Sequence, residues 1–158
     1  MSKAYLAGIV DGEGTISLHS VYKGPEYCFP FVQISNTNHK LEQWVKERVD
    51  IPYGYYEYNR NPNKQKPCFL FQFRGSNAVT LLKMILPYLV LKREQADIVL
   101  DTWEGSARWN GSKRGHWCSK YPMPPEIKEK RTQALRNVQA LNRKGPPKGV
   151  INVQNAVL

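Results

Sequence analysis

The residues Leu6-Ala7-Gly8-Ile9-Val10-Asp11-Gly12-Glu13-Gly14 lie close to the start of a chain of 158 residues and determine how its first helix and strand are joined. The first half of this stretch has the apolar spacing of a short helix, predicted over residues 3–12, with Ser2 placed to cap it. The alternating pattern of a β-strand follows directly, from Thr15 to Tyr22. The acidic residues of the stretch therefore stand at the junction of a helix and a strand.

This helix has two unlike faces when its residues are placed about 100° apart. One face carries large apolar residues, which predict contact with a core: Tyr5, Leu6, Ile9 and Val10. The other face carries small residues and one acid: Ala4, Ala7, Gly8, Asp11 and Gly12. Glycine inside a helix lowers helix stability by about 1 kcal/mol relative to alanine, so we expect the small residues of this face to have a packing role. We expect it to meet the backbone of a second helix at close range.

The following segments alternate strand pairs with helices. Strand pairs are predicted over residues 15–22 with 27–36 and over 53–60 with 66–74, and helices over 38–51, 76–86 and 92–104. The order α-β-β-α-β-β-α, with one further helix, predicts an α+β fold: an antiparallel sheet with helices on one face. The opposite sheet face carries polar side chains: Ser17, His19, Gln33, Ser35, Glu57, Asn59, Gln72 and Arg74. Solvent exposure and contact with a nucleic-acid groove explain that face equally well.

The charge of the chain is unevenly distributed. There are 23 Lys and Arg residues against 13 Asp and Glu, a formal charge of +10. Residues 1–104 hold 12 cations and 11 acids, whereas residues 105–158 hold 11 cations and only two acids, Glu126 and Glu129. This asymmetry favours a polyanion-binding protein over the alternative of a solubilising tail. The apolar fraction of 41% excludes a disordered chain, and no apolar run is long enough to span a membrane.

The cysteines and the N-terminus indicate the cellular setting. Cys28, Cys68 and Cys118 are odd in number and lack CxxC spacing, which favours a reducing, intracellular environment such as cytoplasm or an organelle. No signal peptide is visible, because Asp11 interrupts the first apolar run. His116 with Cys118 is too sparse a pair to predict a zinc site.

The residues from Leu6 to Gly14 resemble the signature motif of the LAGLIDADG homing endonucleases, and the order of elements through about residue 104 agrees with that family's core. The resemblance implies that family's fold, in which the sheet forms a saddle on DNA. Only one copy of the motif is present, and single-motif members of the family act as homodimers. A twofold axis would then pass close to Gly8, and the predicted interface is the small face of the helix, at Ala4, Ala7, Gly8 and Asp11.

The resemblance also assigns a catalytic centre. The last acidic residue of the motif, Glu13, is the implied ligand of a divalent metal ion such as Mg²⁺, with the carbonyl of Gly12 as an additional ligand. Two such carboxylates, one from each helix, would repel each other unless cations lay between them, and hard divalent ions prefer oxygen donors. Asp11 is expected to have a structural role, hydrogen-bonding the backbone at the helix end.

Two more catalytic positions follow from the resemblance. Lys92, in the segment Leu91-Lys92-Arg93-Glu94-Gln95-Ala96, matches the family's basic residue near the catalytic water. An exposed lysine at a helix start is the alternative. Asn36 falls where single-motif members often have a polar residue in the solvent network, and a turn or capping asparagine is the equal alternative.

The predicted function is that of an intron-encoded, site-specific endonuclease that hydrolyses double-stranded DNA at a long pseudo-palindromic site. Its partners would be DNA and a second copy of the chain, with no membrane and no small-molecule cofactor. The alternative is a non-cleaving nucleic-acid-binding module of the same fold, either an RNA maturase or a transcription regulator. The predicted DNA contacts are Ser17, His19, Lys23, Gln33, Ser35, Asn59, Arg60, Lys64, Lys66, Gln72, Arg74, Lys113 and Arg114.

The chain divides into two predicted regions. Residues 1–105 form the endonuclease core, and residues 106–158 form a basic extension packed on it, made of a loop, a helix from Glu126 to about Arg143, and a tail. The loop interleaves aromatic and cationic residues, a composition suited to phosphate contact and base stacking: Trp109, Lys113, Arg114, Trp117 and Lys120. The alternative is that its tryptophans simply fill the core.

Overall fold

The computed structural model describes residues 2–21, 24–59, 66–105 and 123–143. Helix α1 (Lys3–Glu13) runs directly into strand β1 (Gly14–Val21), and strand β2 (Gly24–Asn36) and helix α2 (His39–Arg48) follow. Strands β3 (Gly54–Tyr58) and β4 (Cys68–Arg74) come next. They precede α3 (Ser76–Ile85), a short 3-10 helix (Leu86–Tyr88), α4 (Arg93–Glu104) and α5 (Pro125–Leu141). The predicted α-β-β-α-β-β-α order and α+β class are confirmed.

The four strands form one antiparallel sheet in the order β1-β2-β4-β3. Gly14 of β1 lies opposite Ile34 of β2, and Gln33 of β2 lies opposite Gln72 of β4. Because side chains alternate between the two faces of a sheet, this register assigns every strand residue to one face. The helices cover one face, called here the covered face, and the other is called the open face.

The core lies between the covered face and the helices. Helix α1 packs on β1 and β2, α3 packs on β4 and β2, and α4 lies between α3 and α5. The largest fully buried side chains come from both layers and include Phe69, Phe73, Leu6, Ile16 and Ile34. Phe69, Phe71 and Phe73, at alternate positions of β4, are all buried. In the residues described, no helix is long and apolar enough to cross a bilayer.

Helix α5 belongs to this same core. Its buried residues include Ala134, Leu135 and Val138, whereas Leu141 at its last position is exposed. The guanidinium of Arg131 donates a hydrogen bond to the carbonyl oxygen of Cys28 at 2.9 Å, which ties α5 to β2. Removing the chain after residue 105 would therefore uncover part of the core.

Candidate functional site

The junction of α1 and β1 has a sharp turn that depends on Gly14. The N–H of Gly14 donates to the carbonyl oxygen of Val10 and so closes the helix. A Cβ atom at Gly14 would lie 2.7 Å from that oxygen and 2.8 Å from the Cα of Val10, which is too close for any other residue without a backbone shift. The helix therefore ends abruptly and leaves Glu13 exposed at its C-terminal end.

The side chain of Lys92 lies at this same helix end. Its ammonium group donates to the carbonyl oxygen of Val10 at 2.9 Å and to the carbonyl oxygen of Asp11. A positive charge at a helix C-terminus is stabilised by the exposed carbonyl dipoles. Lys92 is only partly accessible, so the alternative of an exposed lysine at a helix start is wrong.

The carboxylate of Asp11 holds the segment that carries Lys92. One oxygen accepts a hydrogen bond from the N–H of Val90 at 2.8 Å, and the other accepts from the N–H of Lys92 at 3.0 Å. The expected structural role of Asp11 is thus confirmed, with the backbone before α4 as its partner. Together, Asp11 and Lys92 fix the start of α4 against the end of α1.

Asn36 lies at the same end of the sheet, since Gly14 pairs with Ile34, two residues earlier in β2. Its side-chain oxygen accepts a hydrogen bond from the N–H of Asn38 at 2.8 Å, and the side chain of Asn38 in turn caps α2. This geometry gives Asn36 the role of a turn residue. A catalytic role for Asn36 stays a prediction.

The donor set at the end of α1 suits a hard cation only in part. Glu13 supplies one carboxylate, and nowhere in the described ranges do three His, Cys, Asp or Glu side chains come close enough together to hold a metal. Mg²⁺ is commonly held by one or two protein carboxylates, with substrate phosphates completing its coordination. One chain therefore offers part of such a site, through Glu13 and neighbouring carbonyl oxygens.

The outer surface of α1 differs from the predicted small face at two positions. Ala4, Gly8 and Gly12 are exposed in a row, and no atom of the described residues lies within 4 Å of a Cβ built at Gly8 or Gly12. Ala7, however, is 0% exposed, because α1 also packs against α3 and the 3-10 helix. Ala7 was therefore wrongly assigned to an intermolecular interface. Tyr5, expected in the core, is exposed and packs edge-on against Trp44 with ring centroids 4.7 Å apart.

The open face of the sheet brings together most of the predicted DNA contacts that the structure describes. The strand register places on it His19 from β1, Gln33 and Ser35 from β2, and Gln72 and Arg74 from β4. Lys66 is exposed just before β4. The predictions for Lys23, Arg60, Lys64, Lys113 and Arg114 lie outside the described residues.

Three predictions for this face are wrong. Ser17 is on the open face, opposite Phe31, but is only 8% exposed and cannot present its hydroxyl to DNA in this structure. Glu57 pairs with Phe69, so the register places it on the covered-face side of β3, and Asn59 lies beyond the end of that strand. The open-face residues of β3 are instead Tyr56 and Tyr58, both exposed.

An aromatic stack joins β1 and β2 on the open face. The ring of His19 stacks on Phe31 with centroids 3.7 Å apart, and the guanidinium carbon of Arg74 lies 5.8 Å from the centroid of Phe31. Burial lowers the pKa of His19 below 6.5, and the positive charge of Arg74 lowers it further. His19 is therefore neutral near pH 7, so Arg74 is the positive charge of this stack.

Comparison with solved structures identifies the architecture. Two matches are structures of the homing endonuclease I-CvuI, one with an I-CreI target in the presence of Mg and one with its own target in the presence of Ca. Their sequences are 20% and 19% identical to this chain, and both have a TM-score of 0.60. Each match covers 94% of this chain and 86% of I-CvuI. The archaeal intron-encoded homing endonuclease I-Vdi141I, complexed with DNA, is 14% identical over 92% of this chain and 87% of its own, with a TM-score of 0.64.

A third match differs in length. I-SmaMI, described as a LAGLIDADG homing endonuclease, was solved on uncleavable DNA and is 12% identical with a TM-score of 0.53. That match covers 92% of this chain but 46% of I-SmaMI. No protein-family model and no curated protein matches the chain. At these sequence identities the comparisons establish the fold.

Proposed function

We propose that this chain, which has the fold of the LAGLIDADG homing endonucleases, is itself a site-specific DNA endonuclease that depends on a divalent metal ion. The observation that carries the proposal is the meeting of two separated parts of the sequence at the end of α1. Glu13 is exposed there, and the ammonium group of Lys92 is bound to the carbonyl oxygens of Val10 and Asp11 at the same helix end. Phosphodiester hydrolysis requires an acidic group that can hold a metal ion and a cation that can stabilise negative charge, and both residue types occur at this helix end.

The roles of these residues follow from their chemistry. The Glu13 carboxylate and the Gly12 carbonyl are the oxygen donors that would hold Mg²⁺, which when bound makes a water molecule more acidic and stabilises charge on the departing oxygen. Lys92 supplies a fixed positive charge where the phosphate becomes more negative in the transition state. Asp11 keeps Lys92 in place through the backbone of residues 90 and 92.

We further propose that the active form is a homodimer. The row Ala4, Gly8 and Gly12 faces outward, and within the part of the chain that the structure describes nothing packs closely enough on Gly8 or Gly12 to exclude a larger side chain. Val90 and Leu91, tied to α1 through Asp11, add apolar surface beside this row because they are 80% and 73% exposed. I-SmaMI is about twice the length matched here, so two copies of this chain would supply a comparable assembly. Pairing along α1 would bring two Glu13 carboxylates together.

The open face is proposed as the DNA-binding surface. It presents hydrogen-bonding side chains on neighbouring strands, and antiparallel strands can lie in a major groove and contact base edges. Two copies related by a twofold axis would contact two half-sites, which predicts a long pseudo-palindromic target. Coding by an intron and an intracellular location are parts of the same proposal.

The test is to separate binding from cleavage. Duplexes are selected from a random library by the full-length chain in Ca²⁺, and the selected DNA is then incubated in Mg²⁺ with wild type and with Glu13→Gln. We expect Glu13→Gln to bind at least as tightly and to cleave slower by several orders of magnitude, because amide and carboxylate differ in charge but hardly in size. Glu57→Gln, the same change at an exposed position of β3, is the matched control and should cleave normally.

Each outcome has a definite meaning. If Glu13→Gln cleaved DNA at the wild-type rate, Glu13 would not belong to the active site and the mechanism would be contradicted. A wild-type protein that selects a duplex and does not cut it with Mg²⁺ would support the alternative of a non-cleaving binding module.

A further inference from the structure

Three side chains form a hydrogen-bonded chain across the open face. Arg74 donates from Nη2 to the side-chain oxygen of Gln72 at 2.6 Å, two residues earlier on β4. Gln72 donates from Nε2 to the side-chain oxygen of Gln33 at 2.9 Å, directly opposite on β2. Phe31, held by its stack with His19, lies beneath the guanidinium of Arg74. The conformation of Arg74 is thus fixed from two sides.

The direction of this chain is set by the chemistry of arginine. A guanidinium has five N–H donors and no acceptor, so Gln72 must turn its carbonyl oxygen toward Arg74. The amide nitrogen of Gln72 must then face Gln33, which in turn directs the carbonyl oxygen of Gln33 toward Gln72. Each amide oxygen uses one of its two lone pairs within the chain, whereas the N–H groups of Arg74 beyond its bond to Gln72 are held in a fixed orientation as donors for a ligand.

A fixed set of donors matches one base best. In the major groove, guanine presents two adjacent acceptors, O6 and N7, and the planar fork of arginine donates to both. We infer that Arg74 reads a guanine in each half-site and that Gln72 and Gln33 are positioning residues that hold it for this contact. The inference rests on the proposed function, because it takes the open face as the DNA-binding surface.

The test measures base preference position by position. The full-length chain and its variants select duplexes from a random library in Ca²⁺, and the sequences are compared. We expect wild type to prefer guanine at one position of each half-site. Arg74→Ala should lower that preference by between about 5-fold and 150-fold and leave the other positions unchanged. Lys83→Ala removes one positive charge from α3, where Lys83 pairs with Glu104, and should leave all preferences unchanged.

A second pair of variants tests the positioning residues. Gln72→Met keeps the length of the side chain and removes the acceptor, so we expect the guanine preference to weaken although Arg74 is present. Gln72→Glu keeps an acceptor for Arg74 and should retain the preference. Folding of each variant is checked by thermal unfolding, since a merely structural role would alter stability and not the preference at one base pair.

The outcomes distinguish the inference from the proposal beneath it. A wild-type chain that selects no consensus contradicts site-specific binding, and the inference with it. A consensus whose guanine preference survives Arg74→Ala overturns the inference alone. Equal preferences in Gln72→Met and Gln72→Glu overturn the positioning role of Gln72.

Discussion

The ammonium nitrogen of Lys92 lies 2.9 Å from the carbonyl oxygen of Val10, a residue 82 positions earlier in the sequence. This contact gives Lys92 two functions in the proposed enzyme. It adds a second donor to the carbonyl oxygen of Val10, which also accepts from the N–H of Gly14, and it places a cation at the helix end that carries Glu13. The structural role and the catalytic role of Lys92 can be separated by experiment.

We expect Lys92→Met to lower the free energy of unfolding by about 1–3 kcal/mol, the usual cost of losing a hydrogen bond to a charged group. Cleavage should fall far more than this loss of stability explains when activity is measured at a temperature where the variant is fully folded. Urea unfolding and a cleavage time course provide the two measurements. The control is Lys83→Met, since surface pairs such as Lys83 with Glu104 contribute about 0–1 kcal/mol. A folded Lys92→Met variant that cuts at the wild-type rate would leave Lys92 with a structural role only.

A second prediction concerns the acid stability of α2 and β3. Hydrogen bonds from Lys46 and Tyr55, at 2.6 Å and 2.7 Å, lower the pKa of Glu42 from 4.5 to about 2, and His39 assists. A lowered pKa in the folded state stabilises the protein above the unfolded pKa, and that stabilisation is lost as pH falls from about 4.5 to 2. We therefore expect Glu42→Gln to be less stable than wild type at pH 7. The difference between the two should shrink through this window in urea unfolding. A constant difference from pH 7 to pH 2 would contradict this pKa.

Much of the fold could be predicted because strand alternation and helix periodicity are local properties. The phenylalanines of β4, at positions 69, 71 and 73, are buried as their spacing indicates. The sequence of strand β3 shows no such difference between an apolar face and a polar face. Tyrosines occupy both of its faces, with Tyr55 toward the core and Tyr56 outward, so composition could not reveal which face was which. Only the pairing of Tyr56 with Leu70 decides it.

The candidate site was predictable only where the motif carried it. The junction with Glu13 is encoded by adjacent residues, whereas the bonds from Asp11 to the backbone of residues 90 and 92 join distant segments. No local sequence pattern predicts such long-range contacts. The helical wheel misplaced Ala7 and Tyr5 for a related reason, because it takes large residues to mark the buried side. Packing of α1 against α3 and the 3-10 helix widens the buried arc as far as Ala7.

Gly8 and Gly14 of the motif are required for different physical reasons, and this difference leads to the third prediction. Gly14 is required within the chain, since its Cβ would collide with the backbone of Val10. Gly8 is not, because a Cβ there would have no neighbour within 4 Å among the residues that the structure describes. The cost of a glycine in a helix interior, about 1 kcal/mol relative to alanine, therefore needs a reason outside the single chain.

We accordingly expect Gly8→Leu and Gly14→Ala to fail in different ways. Gly14→Ala should lower the free energy of unfolding by about 1–3 kcal/mol, the usual range for overpacking, whatever the oligomeric state. Gly8→Leu should keep the fold but separate two α1 helices that touch through their backbones, so it should sediment as a monomer with the circular dichroism of the wild type. Sedimentation velocity and urea unfolding, run on both variants at several protein concentrations, separate the two effects. If wild type and Gly8→Leu sediment alike as dimers, the two chains do not meet along α1. The two Glu13 carboxylates would then have to be brought together by another surface.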